Sequence, residues 1–238
     1  MSVTGIVAAL AVEARTLRSR RPARLGGASA APAIDSLDDG SLLVISGMGS
    51  EAAAAAALAL LAAGARNLLS FGLAGGLDPA LAAGAILLPQ AVTDDAGTVH
   101  MTFSPWRERL AARLGSRVVV GGTLLSVARP LTTPESKSEA RIRTAACAVD
   151  MESFAVAAVA ARHAVNFLVA RAVVDTASDT VPGSVMLATG PHGEIDVPRL
   201  LLGLMRAPSQ LGGMLQLARR SRAALDSLRY LARRGVAA

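Results

Sequence analysis

Val149-Asp150-Met151-Glu152-Ser153-Phe154-Ala155-Val156 opens the stretch that decides the fold, and Asn166-Phe167-Leu168-Val169-Ala170-Arg171-Ala172-Val173-Val174-Asp175 closes it. An Ala-rich run joins the two. The order is a short apolar segment, a helix opening on an acidic residue, and a second apolar segment ending in Asp175. Strand, helix and strand of this kind make a parallel unit of an α/β sheet. Polar groups sit at both ends and the middle is apolar. Glu152 and Asp175 are therefore expected at the rim of one sheet, facing a common cleft.

Working outward, the same alternation continues. Residues 3–10 read as a buried first strand, with Glu13 in the turn that follows. Residues 22–40 read as a loop and hairpin strand, and Leu42 to Ser46 as a strand. Gly47 and Gly49 then lead into a helix reaching about Ala63, with Ser50 as its cap. Residues 67–73 form a strand running into Gly72-Leu73-Ala74-Gly75-Gly76-Leu77-Asp78-Pro79. Three glycines in five residues imply unusual backbone angles or close approach to a ligand. Gly84 to Ala91 reads as one strand, 93–103 as a polar loop, and Ser104-Pro105 as a helix start. Arg117 to Val127 reads as a strand bulged at Gly121-Gly122, and Thr133-Pro134 opens a helix to about Ala145. Residues 176–196 form a long loop of the kind that serves as a lid. The fold class expected is α/β: three layers, with a twisted mixed central sheet flanked by helices.

Composition agrees. At 238 residues the chain suits one sizeable α/β domain, and 52% apolar content supports a full core. Aromatics are 3%, so that core must be Ala, Leu and Val. The formal charge is +6, and nearly all cations are Arg. Cys147 is the sole cysteine, which excludes an internal disulfide and a cysteine metal cluster. His100, His163 and His192 lie far apart without ligand spacing, so no metal site is expected. Glu13 interrupts the N-terminal apolar run and no basic leader precedes it, so a cytoplasmic location is expected.

Three stretches together resemble one family. Residues 70–79, Ser-Phe-Gly-Leu-Ala-Gly-Gly-Leu-Asp-Pro, look like the glycine-rich segment of purine nucleoside and uridine phosphorylases and of methylthioadenosine/adenosylhomocysteine nucleosidases. Val149-Asp150-Met151-Glu152-Ser153 resembles their Val-Glu-Met-Glu segment, and Arg171-Ala172-Val173-Val174-Asp175 their Arg-Ala-x-Ser-Asp segment. Glu13 matches the acid after the first strand in the nucleosidase branch. The resemblance runs in order from about residue 3 to 180. Within the superfamily, Arg129-Pro130-Leu131, Glu135-Ser136-Lys137 and the basic tail are similar to the hopanoid-biosynthesis-associated nucleoside phosphorylases.

The resemblance implies release of adenine from an adenosyl nucleoside, here adenosylhopane, to leave a ribosyl-hopanoid. It implies no cofactor, with inorganic phosphate as a possible co-substrate. Asp175 would be the general acid at purine N7, which requires burial to raise its pKa from about 3.9. Glu152 would accept from the ribose hydroxyls over Met151. Glu13 and Arg171 would hold the nucleophile. Leu73, Gly75 and Leu131 complete the expected substrate-binding set. Two positions depart from the pattern: Leu73 stands where the nucleosidases place a serine, and Arg129-Pro130-Leu131 stands where relatives place a stacking aromatic.

The tail, Ser209 to Arg234, has helical apolar period with Arg219, Arg220, Arg222, Arg229 and Arg233 opposite. We divide the chain into a catalytic domain, 1–208, and this basic helix, 209–238. The helix admits packing on its own domain, an oligomer contact, or peripheral contact with anionic lipid, which would suit a lipid-linked substrate. A homo-oligomer is expected from the resemblance. Nucleic-acid binding is not, for want of aromatic platforms. A methylthioadenosine/adenosylhomocysteine-type nucleosidase and a non-catalytic nucleoside-binding module are the alternatives.

Overall fold

The computed structural model describes residues 2–17, 24–25, 32–181 and 211–238. The first strand, β1 (Thr4–Ala8), is wholly buried and leads into helix α1 (Ala11–Leu17). Next come β2 (Arg24–Leu25), β3 (Ile34–Ser36), β4 (Leu42–Ile45) and α2 (Ser50–Ala62). The long strand β5 (Asn67–Gly76) is followed by β6 (Ile86–Leu88), β7 (Ala91–Thr93), β8 (Val99–Met101) and α3 (Ser104–Leu114). Then come β9 (Val118–Val120), β10 (Thr123–Ser126), α4 (Pro134–Thr144), β11 (Ala148–Asp150), α5 (Ser153–Arg162), β12 (Asn166–Asp175) and the C-terminal helix α6 (Leu211–Arg233).

The strands make one mixed sheet. Its main path runs β2-β3-β4-β1-β5-β11-β10-β7-β8, with β12 pairing β5 and β6, and β6 pairing β9. β5 is parallel to β1 and β12 along its first part, and its last residues pair antiparallel to β11. β5 thus joins two half-sheets, and its far end lies where they diverge.

Helices cover both faces, as the alternation of elements requires. α2 and α5 close one side around Ala53, Ala56, Ala57, Leu60, Val156 and Ala157. The Ala-rich α2 approaches β1 closely: a Cβ on Gly5 would lie 2.9 Å from the Leu60 Cβ. α1, α3 and α6 close the other side around Ala14, Trp106, Leu110, Ala224, Leu228 and Leu231. Trp106 is anchored there, donating from Nε1 to the Val236 carbonyl at 3.0 Å.

Several local readings need correction. The glycines after residue 71 continue β5 instead of leaving it. The apolar run 84–91 is two strands, because Pro89 and Gln90 turn the chain between β6 and β7. Gly121 and Gly122, both at positive φ, separate β9 from β10. β8 lies inside the expected polar loop; it is an edge strand whose Val99 and Met101 are exposed, so it lacks an apolar signature. Gly49, not Ser50, caps α2. Cys147 is half-buried, its thiol donating to the Thr123 carbonyl at 3.3 Å. The tail helix is described from Leu211, and its apolar face is turned onto α1 and β12. Ser227 donates to the Gly84 carbonyl at 2.6 Å. His192 and the lid expected beyond Val181 lie outside the described residues.

Candidate active site

The strand ends meet at a cavity of about 250 Å³. Glu13, Leu73, Gly75, Leu131, Met151, Glu152 and Asp175 all line it. The chain thus brings most of the expected site residues to one hollow, although Glu13 and Asp175 lie far apart in number. Arg171 stands behind its wall, 1% exposed.

Glu13 is buried in the first turn of α1. Its carboxylate turns back on the strand ends, accepting from the Leu10 amide at 2.9 Å and the Leu73 amide at 2.8 Å. This is possible because residue 72 is glycine. A Cβ there would sit 2.5 Å from Glu13 Oε1 and 2.6 Å from Arg171 Nη1. Burial raises the Glu13 pKa above its ordinary value, and the Arg171 charge opposes that rise. Leu73 contributes its backbone at the position where a serine side chain was expected.

Arg171 lies within β12. Nη2 pairs with Asp150 at 2.6 Å and reaches the Ser70 hydroxyl at 2.9 Å, and Nη1 donates to the Leu73 carbonyl at 3.2 Å. Asp150 was not expected to take part. The hydroxyls of Ser126 and Ser153 both donate to it, each at 2.5 Å. Two carboxylates spaced Asp-x-Glu at a strand end were the available signal.

Glu152 lies where β11 gives way to α5. A plain helix-start charge would point at α5 amides. Its side chain makes no such cap bond. Instead it accepts from the Gly49 amide at 3.0 Å and lies 3.7 Å from Arg171 Nη2. Burial first, then the charge of Asp150, raises its pKa from 4.5 to about 7.

That shift has a measurable consequence. An unfolded chain gives up the Glu152 proton near 4.5, while the folded protein keeps it to about 7. The folded form binds more protons in this window, so Glu152's contribution to stability is full below pH 4.5 and lost as the pH rises through 7. The loss should be of order 3 kcal/mol, at about 1.4 kcal/mol per unit. Glu152→Gln is expected to remove this share. Its Tm should exceed that of the wild type at pH 8 and match it near pH 5. Thermal unfolding across this range checks the difference; parallel curves would show that Glu152 is not the group.

Asp175 ends β12. The pairing with β5 slips by one residue between Val173 and Asp175, a bulge of the kind that re-aims a side chain. A Cβ on Gly75 would come 3.4 Å from Asp175 Oδ2, so β5 meets the carboxyl with bare backbone. Burial raises the Asp175 pKa, while Lys137 and then Arg220 pull it down. Lys137 had no expected role in the site. It is fully buried and ion-paired with Asp175 Oδ2.

A sequence model of the phosphorylase superfamily matches residues 37–190, more than half of the chain. The chain belongs to the phosphorylase superfamily. It is an enzyme of the nucleoside phosphorylase and nucleosidase class, whose reactions need no cofactor; phosphate is a co-substrate where cleavage is phosphorolytic. Solved structures share its fold. A 5′-methylthioadenosine/S-adenosylhomocysteine nucleosidase from Colwellia psychrerythraea, in complex with adenine, is 22% identical, with a TM-score of 0.66 over 87% of this chain and 96% of that one. One from Neisseria meningitidis, bound to methylthio-immucillin-A, is 20% identical, with a TM-score of 0.66 over 93% of this chain and 100% of that one. A mutant from Helicobacter pylori with 5′-methylthioadenosine in its active site is 14% identical, with a TM-score of 0.70 over 97% and 98%. At these identities the likeness shows the superfamily fold alone. No curated protein matches the chain.

Among the described residues no helix is long and apolar enough to cross a membrane. No group of three or more His, Cys, Asp or Glu side chains there could hold a metal ion.

Proposed function

We propose that the protein hydrolyses the N-glycosidic bond of an adenosyl nucleoside and releases adenine. The observation that carries this reading is the shared cavity. Glu152 and Asp175 both line it, and Glu13 lies on the same wall. Asp175, held toward its protonated form by burial, protonates purine N7 as the C1′–N9 bond breaks and its electron pair passes to the ring. Glu152 accepts from the ribose 2′- and 3′-hydroxyls, over Met151. Glu13 takes a proton from the water that attacks C1′, and its raised pKa makes it a stronger base. The two ends of the reaction thus have an acid and a base tuned by different surroundings.

Water is favoured over phosphate by charge. Glu13, Asp150 and Glu152 surround one guanidinium, Arg171, which is already paired with Asp150. A phosphate dianion placed there would meet more negative than positive charge.

The substrate we infer is lipid-linked, of the adenosylhopane type, which would place the enzyme in hopanoid biosynthesis. The cavity is at the small end of ligand clefts. It therefore suits a nucleoside whose 5′ group projects out past Leu10, Met48 and Leu217. These three residues would favour an apolar substituent over a charged one. Methylthioadenosine and adenosylhomocysteine are the competing substrates, and adenosylhomocysteine carries a zwitterion at this end. The basic face of α6 would let the protein rest on anionic lipid while such a substrate enters, and self-association would be as in relatives.

An adenine-release assay on adenosylhopane, methylthioadenosine and adenosylhomocysteine, with and without phosphate, tests the whole reading. Adenine should appear at the same rate in both media, fastest from adenosylhopane. Absolute dependence on phosphate would overturn the hydrolytic step. No adenine from any of the three would overturn the function.

A further inference from the structure

Lys137 is the only lysine in a chain with 24 Lys and Arg residues. Wherever else a cation stands, it is an arginine. This single lysine is 0% exposed, although it sits on α4, an otherwise polar helix. Its ammonium is ion-paired with Asp175 Oδ2. It also donates to the Thr176 carbonyl at 2.7 Å and the Asp179 carbonyl at 3.1 Å. All three ammonium protons are thereby used. A planar guanidinium could not direct three donors from one atom.

We propose that Lys137 is a positioning residue for the general acid: it clamps Asp175 Oδ2 and the turn after β12, and so leaves Oδ1 to deliver the proton to the purine. This rests on the function proposed above. Among the described residues Oδ1 makes no side-chain hydrogen bond, and Asp175 lines the cavity. The turn is held from its other side as well. Thr176 donates its amide to Asp179 Oδ2 at 2.7 Å, and Asp179 is ion-paired with Arg220 of α6. Four charged groups therefore set the behaviour of this corner: Asp175, Lys137, Asp179 and Arg220. β5 adds only Gly75. Without Lys137 the carboxyl can rotate about its terminal torsion, and the donor oxygen is no longer defined.

Lys137→Met and Lys137→Arg separate positioning from structural filling. Activity that needs protonated Asp175 is present below its pKa and lost above it. Lys137 pulls that pKa down, so its removal should move the alkaline limb of the pH–rate profile to higher pH. In Lys137→Met, kcat should fall about 10–100-fold through lost orientation, with KM changed less than about threefold. Lys137→Arg keeps the charge, so its limb should stay near that of the wild type while kcat falls less. A purely structural lysine would lower Tm in Lys137→Met and leave kcat per folded molecule and the limb unmoved; that result overturns the proposal. Should Lys137→Met not fold, Lys137→Gln gives the same readout. Carbon-13 NMR titration of the Asp175 carboxyl needs no turnover. A wild type that releases no adenine would sink the proposed function alone. The clamp would then stand or fall on the titration: a higher Asp175 midpoint without Lys137 supports it, and an equal midpoint overturns it.

Discussion

Asp175→Asn is expected to lower kcat for adenine release by about 10²–10⁴-fold, the usual worth of a positioned general acid. That corresponds to roughly 3–5 kcal/mol of barrier, at 1.36 kcal/mol per tenfold. The amide keeps the shape of the carboxyl and can still accept from Lys137, so KM should change little. It cannot give N7 a proton at useful strength. Three readouts identify the cause. The residual rate should be flat over the pH range where the wild type declines, because the titrating group is gone. A 4-nitrophenyl riboside, whose leaving group needs no protonation, should be cleaved at comparable rates by both proteins. Loss of the partner charge leaves the buried Lys137 ammonium with neutral acceptors only, so Tm should fall, and rates belong well below it. A variant that releases adenine at the wild-type rate would remove Asp175 from the mechanism.

The part of this site that local pattern reveals is the part built from contiguous chain. Residues 149–175 fold as read because an apolar strand, an Ala-rich helix and a second apolar strand each carry their own periodicity. Glu13 is legible for the same reason, as the acid just beyond a buried strand. What stays hidden depends on partners distant in number. Lys137 meets Asp175 from a helix whose amphipathic pattern says only that one side is buried. Its uniqueness among the cations was the available sign. Asp150 reads as a strand-end charge until Arg171 of β12 is placed opposite it. The glycines at 72, 75 and 76 read as a loop because they lack strand-forming side chains. They are strand because β11 and β12 pair with them, and at 72 the Glu13 carboxylate occupies the space that a side chain would fill. The break between β6 and β7 is invisible to periodicity, since both halves of the run are buried and only their partners differ. Likewise the arginine face and apolar face of α6 say that it is amphipathic. They do not say that Leu228 and Leu231 are wholly buried beneath it.

Arg171→Met is expected to be the most destabilising single change in the site, at about 3–5 kcal/mol. In a chain of this size, that lowers Tm by roughly 10–15 °C. The reason is not the lost pair itself but what it leaves. Burial works against the Arg171 charge, and Asp150, Glu152 and Glu13 outweigh it. Methionine fills much of the same volume and answers none of those carboxylates. Asp150 is the most exposed to the loss, being 6% accessible and 2.6 Å from Nη2. Two results follow from this cause and not from simple cavity formation. First, the cost should be larger at pH 8 than at pH 5. Arg171 holds down the pKa of both Glu13 and Glu152, and without it both take up protons more readily as the pH falls. Second, adding Asp150→Asn to Arg171→Met should recover stability, because the stranded charge disappears while the amide oxygen still accepts from one of Ser126 and Ser153 and the amide NH2 can donate to the hydroxyl of the other. If the second substitution lowers Tm further, Asp150 is not the charge that Arg171 neutralises. Recovered stability without recovered adenine release would separate the two duties of the guanidinium. Holding three carboxylates in one small volume is a matter of folding, whereas keeping Glu13 ionised enough to accept a proton from water belongs to the reaction.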